Sequence, residues 1–413
     1  MRALLHWSSQ FVAILLVSIS VFVGIAAADS KTPQLEIVGR LCEIVEAHFY
    51  DADLKGVDWA ASCSRLRADL PLSSAAFRSQ LKALMGSLHT SHTTYYEAGE
   101  PEHAILLDVY HGNPSLEMLL AKQPGGAPRL EFAGFFATEY DGRHFVDQII
   151  PDSSADTNGL LTGDEIVSVA GKRFDPATAF AGHAGNAIVI GYRREKNGSV
   201  QTVNVQVVGV SPLSFLDRAS KKSVRIIEKD GLRIGHIRYW SFAGVEPFKI
   251  FLEALRPGGE LDGVDALIID ARARIGGGIL PLELLKPLLL ETEVIIRSGT
   301  FSEPPQQLAD RFVMIIDGHT RSAAEMMAYT AKVRQIGILV GQTTQGAVTG
   351  GTIFPLPNGA IVYVAVAKVI YGGQALEGNG VSPDIPVTFE LPYSAGTDPL
   401  YERALTETIR LAR

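Results

Sequence analysis

The stretch RFVMIIDGHTRSAAEMMAYTA, residues 311–331, joins an apolar run to a run rich in Ala and Met. Residues 312–316 predict a buried strand, because the run is short, continuous and bounded by an Asp-Gly turn. Residues 323–333 have good helix composition, and Glu325 lies three residues after Ser322, where it can complete a capping box. The pattern predicts a strand-to-helix turn with Ser322 at the start of the helix.

This position gives Ser322 two interpretations. As a nucleophile it would attack beside the free N–H groups of a helix N-terminus, which can hold a developing oxyanion. As a structural residue it would only cap the helix. This stretch alone favours the helix-capping role, so the choice between the two roles depends on the rest of the sequence.

Composition limits the class of protein. The 413 residues predict two or three domains, and 46% hydrophobic with 20% charged residues is typical of a globular protein. The net charge of −8 argues against a nucleic-acid partner. No Cys/His cluster has metal-ligand spacing, so neither a metal nor a cofactor is predicted.

The first residues resemble a targeting segment. Residues 11–27 are apolar, and Ala26-Ala27-Ala28 forms a small-residue cleavage pattern before Asp29. Residues 1–28 therefore predict a secretory signal peptide and a periplasmic or secreted protein with no membrane span after cleavage. An uncleaved signal anchor is the alternative, because the apolar run is nearly long enough to span a bilayer. After export, Cys42 and Cys63 are expected to form a disulfide, with two buried free thiols as the alternative.

Residues 29–100 predict an N-terminal helical unit, because apolar residues recur at helical spacing in three places. The third helix ends in SLHTSHTTYY, residues 87–96, where His89 and His92 lie among hydroxyl side chains. Two histidines in such a cluster favour a catalytic role more than a lone histidine would, although the cluster by itself still favours surface residues. Residues 101–133 alternate apolar runs with Gly and Pro breaks and predict a β connecting segment without chemistry.

Residues 134–210 predict a separate β domain. The phrases IIPDSSAD and GLLTGDEIVSVAGK are followed by two strands around the Asn197-Gly198 hairpin. This order closely resembles a PDZ domain, which implies binding of an extended peptide at a sheet edge.

Residues 211–413 alternate strands and helices and predict an α/β core. The run DARARIGGG, residues 270–278, follows a strand and precedes a predicted helix at 280–290. Its glycines allow backbone N–H groups to approach a ligand closely, or form only a tight turn. The final part contains VGQTTQGA and LEGNGVSPDI and ends in a helix near residues 399–411.

These pieces together resemble the carboxyl-terminal processing and tricorn-core serine peptidase family. The resemblance covers nearly all of the chain after residue 28 and implies a ClpP/crotonase-like α/β core. In the tail-processing branch a Lys after the GxxTxG phrase serves the nucleophile, but that position here is Ala347. The tricorn-like branch uses a Ser-His pair and a Glu, which correspond here to Ser91, His92 and Glu377.

The resemblance implies a role for each of these side chains. Ser322 would be the nucleophile, His92 its general base, and Ser91 the bridge from His92 to Glu377. The oxyanion would lie between the N–H of Ala323 and that of Gly277. Two other histidines are rivals to His92, namely His89 and His319, and both are interpreted as structural or surface residues. The family usually has Asn at the position of Arg274.

The predicted function is therefore that of an exported serine endopeptidase that acts on protein or peptide substrates. The main alternative is a non-catalytic PDZ peptide-binding protein with a decayed peptidase core. A weaker alternative is a carrier of apolar ligands, because a retinoid-binding protein of the eye resembles the same core. A serine-directed fluorophosphonate probe should label the enzyme and neither alternative.

Overall fold

The computed structural model describes residues 19–277, 295–296, 299–300 and 311–413. The first described elements are three helices and a short strand: α1 (Ile19–His48), α2 (Trp59–Ala68), α3 (Ser74–Gly86) and β1 (Thr94–Tyr96). Helix α1 runs across the predicted cleavage site after Ala28, whereas residues 1–18 of the predicted signal peptide lie outside the described residues. Within the described ranges, no helix has both the length and the hydropathy required to cross a bilayer.

The prediction of a β connecting segment at residues 101–133 is wrong for most of its length. The segment contains helices before its one strand: α4 (Pro101–Val109), α5 (Glu117–Leu120) and β2 (Leu130–Phe132). Pro101 occupies the first turn of α4, where its missing N–H costs nothing. The apolar run that suggested a strand is a helix buried on most of its surface, and periodicity alone does not distinguish the two.

Residues 134–210 form a β unit with one short helix. Its elements are β3 (Phe135–Tyr140), β4 (Arg143–Ile149), α6 (Ser154–Thr157), β5 (Glu165–Val169), β6 (Lys172–Arg173), β7 (Ala187–Arg193), β8 (Gln201–Gln206) and β9 (Val208–Val210). Strands pair in the order β3-β4-β5-β7-β8, with β6 beside β5, and β9 pairs with β2. The β7–β8 hairpin encloses the predicted Asn197-Gly198 turn.

The remaining chain alternates helices and strands. The helices are α7 (Pro212–Ser223), α8 (Glu246–Leu255), α9 (Ala323–Val333) and α10 (Pro399–Ala412). The strands are β10 (Arg225–Lys229), β11 (Leu232–Arg238), β12 (Ser241–Phe242), β13 (Ala266–Asp270), β14 (Ile275–Gly277), β15 (Ile295–Ile296), β16 (Gly299–Thr300), β17 (Phe312–Ile316), β18 (Ile338–Gly341), β19 (Gly350–Pro355), β20 (Ile361–Ala367) and β21 (Ile385–Pro386). The helix predicted at 280–290 lies outside the described residues.

A six-stranded sheet in the order β10-β11-β13-β17-β18-β21 forms the centre of this α/β core. All of its pairs are parallel except β10–β11. Phe312, Met314 and Ile316 pack with helix α9 on one face, and Val313 and Ile315 pack with helix α10 on the other. Both faces of β17 are thus covered by helices, which explains its uninterrupted apolar sequence.

The N-terminal helices are attached to the core through a second sheet. Strand β1 pairs antiparallel with β20, which also pairs with β19. The apolar faces of α1, α2 and α3 pack in one cluster with Val362 and Val364 of β20. The segment just before β1, which contains Ser91 and His92, is therefore held against the core.

A disulfide between Cys42 and Cys63 joins α1 to α2, with a sequence separation of 21 residues. Beside it, the Trp59 indole N–H donates a hydrogen bond to the Cys42 carbonyl at 3.2 Å. The bridge therefore fixes two helices of the cluster that packs on β20.

Reduction of this bridge is expected to lower the free energy of unfolding by about 3 kcal/mol, because the opened loop regains conformational entropy in the unfolded chain. Urea unfolding followed by circular dichroism, with and without a reductant, measures the change. The Cys42→Ala/Cys63→Ala variant is the control and should unfold at one urea concentration in both conditions. Identical midpoints for the unaltered protein with and without reductant would contradict the prediction.

Candidate active site

The turn between β17 and α9 places Ser322 in an unusual backbone conformation. Ser322 has φ 55° and ψ −120°, whereas an ordinary N-cap residue is extended. Such a conformation costs free energy in a residue other than glycine, and it concentrates at functional sites. The turn itself is anchored by Thr320, whose hydroxyl donates to the Ala271 carbonyl at 3.1 Å. Simple helix capping does not account for this backbone.

The Glu325 carboxylate holds the start of helix α9 against the following loop. It accepts hydrogen bonds from the Ser322 N–H at 3.0 Å, the Thr344 hydroxyl at 2.6 Å, the Gly346 N–H at 2.6 Å and the Ala347 N–H at 2.7 Å. Burial raises the pKa of Glu325 above its ordinary value, and these four donors oppose that rise. Glu325 thus forms the capping contact that the sequence predicted, and it also fixes residues 344–347.

The glycine turn after β13 lies directly against Ser322. A Cβ atom at Gly276 would lie 2.5 Å from Ser322 Cβ and 2.7 Å from Ser322 Oγ. At Gly277, by contrast, a Cβ would collide with the carbonyl of Phe242. The close approach therefore requires glycine at both positions, and Gly276 is the residue whose missing side chain leaves room for the serine.

His92, Ser91 and Glu377 are joined by hydrogen bonds. The Ser91 hydroxyl lies 2.8 Å from His92 Nδ1 and donates to Glu377 Oε2 at 2.7 Å. The other oxygen of Glu377 accepts the Ser91 N–H at 2.7 Å. Two further donors reach Glu377 Oε2 from the loop before β19, namely the N–H groups of Val348 at 2.8 Å and Thr349 at 3.1 Å.

This network determines which nitrogen of His92 carries the proton. An ionised carboxylate only accepts, so the Ser91 O–H proton points to Glu377 and the Ser91 oxygen is left to accept from His92 Nδ1–H. Thr349 Oγ1, which lies 3.0 Å from Nδ1 and can donate to the Ser91 carbonyl at 3.1 Å, is consistent with the same tautomer. Nε2 is then unprotonated, as a general base requires.

His92 is buried, with 7% of its surface exposed, and its ring meets the edge of Tyr363 at a centroid distance of 5.1 Å. Burial lowers the pKa of His92 from 6.5 to about 3, and the positive charge of Arg321 contributes to the decrease. The imidazole is therefore neutral at pH 7.

Ser322 and His92 line the same cavity, which has a volume of about 780 Å³. Gly276, Gly277 and Arg321 also line it. Among the described residues, no hydrogen bond joins Ser322 to His92. Catalytic hydrogen bonds are often long without substrate, so this geometry is compatible with proton transfer once a substrate is bound.

The sequence of the core matches the model of Peptidase family S41 over residues 233–387. Tricorn protease homolog 1 of Streptomyces coelicolor is 24% identical over 392 residues, which cover 88% of this chain and 34% of that protein. Carboxyl-terminal-processing peptidase 1, chloroplastic, of Arabidopsis thaliana is 22% identical over 385 residues, which cover 86% of this chain and 73% of that protein.

The chain thus resembles the carboxyl-terminal processing and tricorn-like S41 peptidases. It spans about a third of the length of the tricorn homologues it matches. The photosystem II D1 C-terminal processing protease superposes with a TM-score of 0.51 at 18% identity, covering 89% of this chain and 98% of that one. This likeness shows a shared fold with a mixed α/β core. The narrower ClpP/crotonase-like class stays a prediction.

The position of the Lys used by the tail-processing branch is filled here by Ala347. Its side chain is buried, with 1% exposed, and its N–H is bound to Glu325. A Lys at this position would bury an ammonium group beside a carboxylate that already accepts four hydrogen bonds. The position that serves the nucleophile in the tail-processing branch therefore carries no amine in this chain.

The two rival histidines lie elsewhere. His89 is exposed at the end of the turn after α3. His319 lines the cavity, but its Nε2 lies 3.4 Å from an oxygen of Asp147. Neither residue makes a described hydrogen bond to Ser322.

Two site residues were not identified from the sequence. Thr349 contacts both Ser91 and His92, and Arg321 precedes Ser322 and lines the cavity. The position of Arg321 next to the proposed nucleophile was a signal available in the sequence. Thr349 gave no such signal, because its contact depends on how the loop before β19 folds over residues 91–92.

Gly276→Ala is expected to lower the turnover of a peptide substrate at least about 100-fold, because the new methyl group would displace Ser322, the candidate nucleophile, from its position at the start of α9. Gly318→Ala, in the turn between β17 and α9, is the matched control: a Cβ atom there would meet no other atom within 4 Å, and its φ is not positive. Steady-state hydrolysis rates and circular dichroism of both variants test the prediction. A folded Gly276→Ala variant with unaltered turnover would contradict it.

Proposed function

We propose that this protein is an exported serine endopeptidase of the S41 family that cleaves peptide bonds through an acyl-enzyme on Ser322, with His92 as general base. The hydrogen-bonded series Glu377–Ser91–His92, which opens onto the cavity lined by Ser322, carries the proposal. A core with only a structural role would not require a carboxylate and a Ser-His pair from distant parts of the sequence to meet in this order.

In the first step, Ser322 Oγ attacks the carbonyl carbon of the substrate and its proton passes to His92 Nε2. The C–O bond forms as the carbonyl π electrons move to oxygen, which becomes the oxyanion. The N–H of Ala323 is the first donor proposed for this oxyanion, because the first N–H groups of a helix have no intrahelical acceptor. The second comes from the glycine turn; Gly277 was predicted, and the contact of Gly276 with Ser322 supports the same turn.

In the second step, the tetrahedral intermediate collapses and the C–N bond breaks. His92 gives its proton to the leaving amine, and the acyl group stays on Ser322. A water molecule, deprotonated by His92, then attacks the acyl carbon and releases the acid, and Ser322 recovers its proton. No cofactor is needed, because side chains and backbone donors supply each step.

Glu377 and Ser91 are proposed to hold the imidazole and to stabilise its charged form. Each time His92 accepts a proton, a buried imidazolium appears, which is unfavourable without a nearby negative charge. The Glu377 carboxylate provides that negative charge, and the Ser91 hydroxyl, which lies between it and His92 Nδ1, links the two by hydrogen bonds. Thr349, whose hydroxyl oxygen lies 3.0 Å from Nδ1 and 2.9 Å from the Ser91 hydroxyl oxygen, also limits rotation of the ring.

Residues 134–210 are proposed to be a PDZ domain that presents substrate peptides to the cavity. The order of strands agrees with the predicted one, and Phe136, Glu139 and His144 of this segment line the cavity. Arg274 also links the two parts, because its guanidinium contacts Asp147 of β4. Removal of this segment would therefore alter the wall of the active site as well as any peptide groove.

Export is proposed from the apolar run at residues 11–27 together with the Cys42–Cys63 bridge, because disulfides persist mainly in oxidising compartments. N-terminal sequencing of the protein recovered outside the cytoplasm should begin near Asp29. Recovery of intact Met1 in a membrane fraction would instead support the signal-anchor alternative.

Ser322→Ala and His92→Ala are each expected to lower turnover at least about 10⁴-fold, and the double variant should be no worse, because residues that act as a unit are not additive. Glu377→Gln should cost less, because it removes an orienting charge and not the proton carrier. Ala347→Lys should not improve turnover, because no partner there can use the amine. Single-turnover hydrolysis and fluorophosphonate labelling measure these effects.

The labelling experiment also separates the alternatives. A non-catalytic PDZ protein or a carrier of apolar ligands would not react with the probe, whereas an active Ser322 should be labelled and Ser322→Ala should not. If His92→Ala kept full turnover while Ser322→Ala lost it, another group would activate the serine.

The pH dependence should reflect the buried state of His92. A base with the ordinary pKa of about 6.5 would lose about tenfold in kcat/KM between pH 7.5 and pH 5.5. Because burial lowers the pKa of His92 to about 3, the imidazole stays neutral at pH 5.5, and kcat/KM there is expected within about twofold of its value at pH 7.5. A tenfold loss at pH 5.5, with circular dichroism unchanged, would contradict this assignment.

A further inference from the structure

Among the residues that the structure describes, four Lys and Arg side chains line the cavity that contains Ser322. Three of them are paired with carboxylates of the protein itself: Arg78 with Glu97 and Asp175, Lys82 with Glu100, and Arg274 with Asp147 and Glu102. The fourth is Arg321. Within the part of the chain that the structure describes, Arg321 makes neither an ion pair nor a side-chain hydrogen bond.

Arg321 lies beside the candidate nucleophile in the cavity. It immediately precedes the proposed nucleophile, and its side chain is half-buried. An arginine so placed has lost part of its hydration without gaining a partner, which is unfavourable unless another charge completes the site. The three paired cations show that the other positive charges of the cavity are compensated within the protein.

The side of the cavity next to Arg321 is lined by aromatic hydroxyl groups. Burial raises the pKa of Tyr96 to about 12 and raises the pKa of Tyr363 well above its ordinary value, while the charge of Arg321 opposes both increases. The Arg321 guanidinium therefore acts on the tyrosines and on His92 together. Since Tyr96 stays protonated, its hydroxyl group can act as a hydrogen-bond donor.

We propose that Arg321 is a specificity residue that binds a substrate carboxylate beside the scissile peptide bond. This proposal rests on the proposed function of Ser322. The planar guanidinium presents paired N–H donors that match the two oxygens of a carboxylate. The carboxylate belongs either to an Asp or Glu side chain next to the cleaved bond or to the C-terminal residue of a short substrate, and the experiment separates these two sources.

A bound carboxylate also acts on the base. Arg321 contributes to the unfavourable environment of a protonated His92. A negative group on Arg321 would offset that positive charge at the moment when His92 accepts the serine proton. An acidic substrate would thus gain in the transition state as well as in binding, and the preference should appear in kcat as well as in KM.

The test uses the full-length protein and internally quenched peptides that differ only in one residue next to the cleaved bond, which is Glu, Gln or Lys. Each is prepared with a free C-terminal carboxylate and as the C-terminal amide. The unaltered protein should cleave the Glu peptide at least about tenfold better than the Gln peptide in kcat/KM, as expected for a hydrogen-bonded charge pair. Arg321→Gln should remove that ratio, and Arg321→Glu should favour the Lys peptide.

Arg78→Gln is the matched control, because it removes a cavity arginine that is already paired, and its Glu-to-Gln ratio should be retained. If the ratio follows the C-terminal group and not the side chain, the bound carboxylate is that of the chain end. Equal cleavage of all peptides by the unaltered protein, or an unchanged ratio in Arg321→Gln, would overturn the proposal. In those cases cleavage would still be lost in Ser322→Ala, whereas failure of the proposed function would leave cleavage independent of Ser322.

Discussion

The Glu377 carboxylate is the contact on which the geometry of the site depends. Its four hydrogen bonds reach the backbone and hydroxyl of Ser91 and the N–H groups of Val348 and Thr349. One side chain therefore joins the segment before β1, the loop before β19 and the segment after β20. Because a carboxylate only accepts, it fixes the direction of the Ser91 hydroxyl and, through it, the tautomer of His92.

A second carboxylate, that of Glu325, fixes the position of Ser322, the proposed nucleophile. Glu325 binds the N–H of Ser322 and three donors of residues 344–347, so the start of α9 and the loop that leads to Thr349 are fixed relative to each other. The two carboxylates share that loop: Glu325 holds its first part and Glu377 its last. Ser322 and His92 make no described contact with each other. The first part of the loop, through Glu325, positions Ser322, and its last part, through Glu377 and Ser91, positions His92.

Much of this arrangement could be predicted from local sequence patterns. Strand β17, the turn at Ser322 and helix α9 agree with the composition of residues 311–331, because propensity, turn residues and capping all favour the same structure. Helix α4 was assigned wrongly, because a helix buried on most sides has no polar face to reveal its period. Thr349 and the pairing state of Arg321 could not be predicted, because both depend on long-range packing between segments far apart in the sequence.

The proposed base, His92, lies in a part of the chain outside the matched family region. Residues 233–387 contain Ser322 and Glu377 but not His92. His92 reaches the cavity because β1 pairs with β20 and because α1, α2 and α3 pack on the same strand. The Cys42–Cys63 bridge joins two of those helices, and so it helps to hold the segment that contains His92 in place. The proposed catalytic group therefore depends on the N-terminal helices, because they hold the segment that carries His92 against the core, where Ser322 and Glu377 lie.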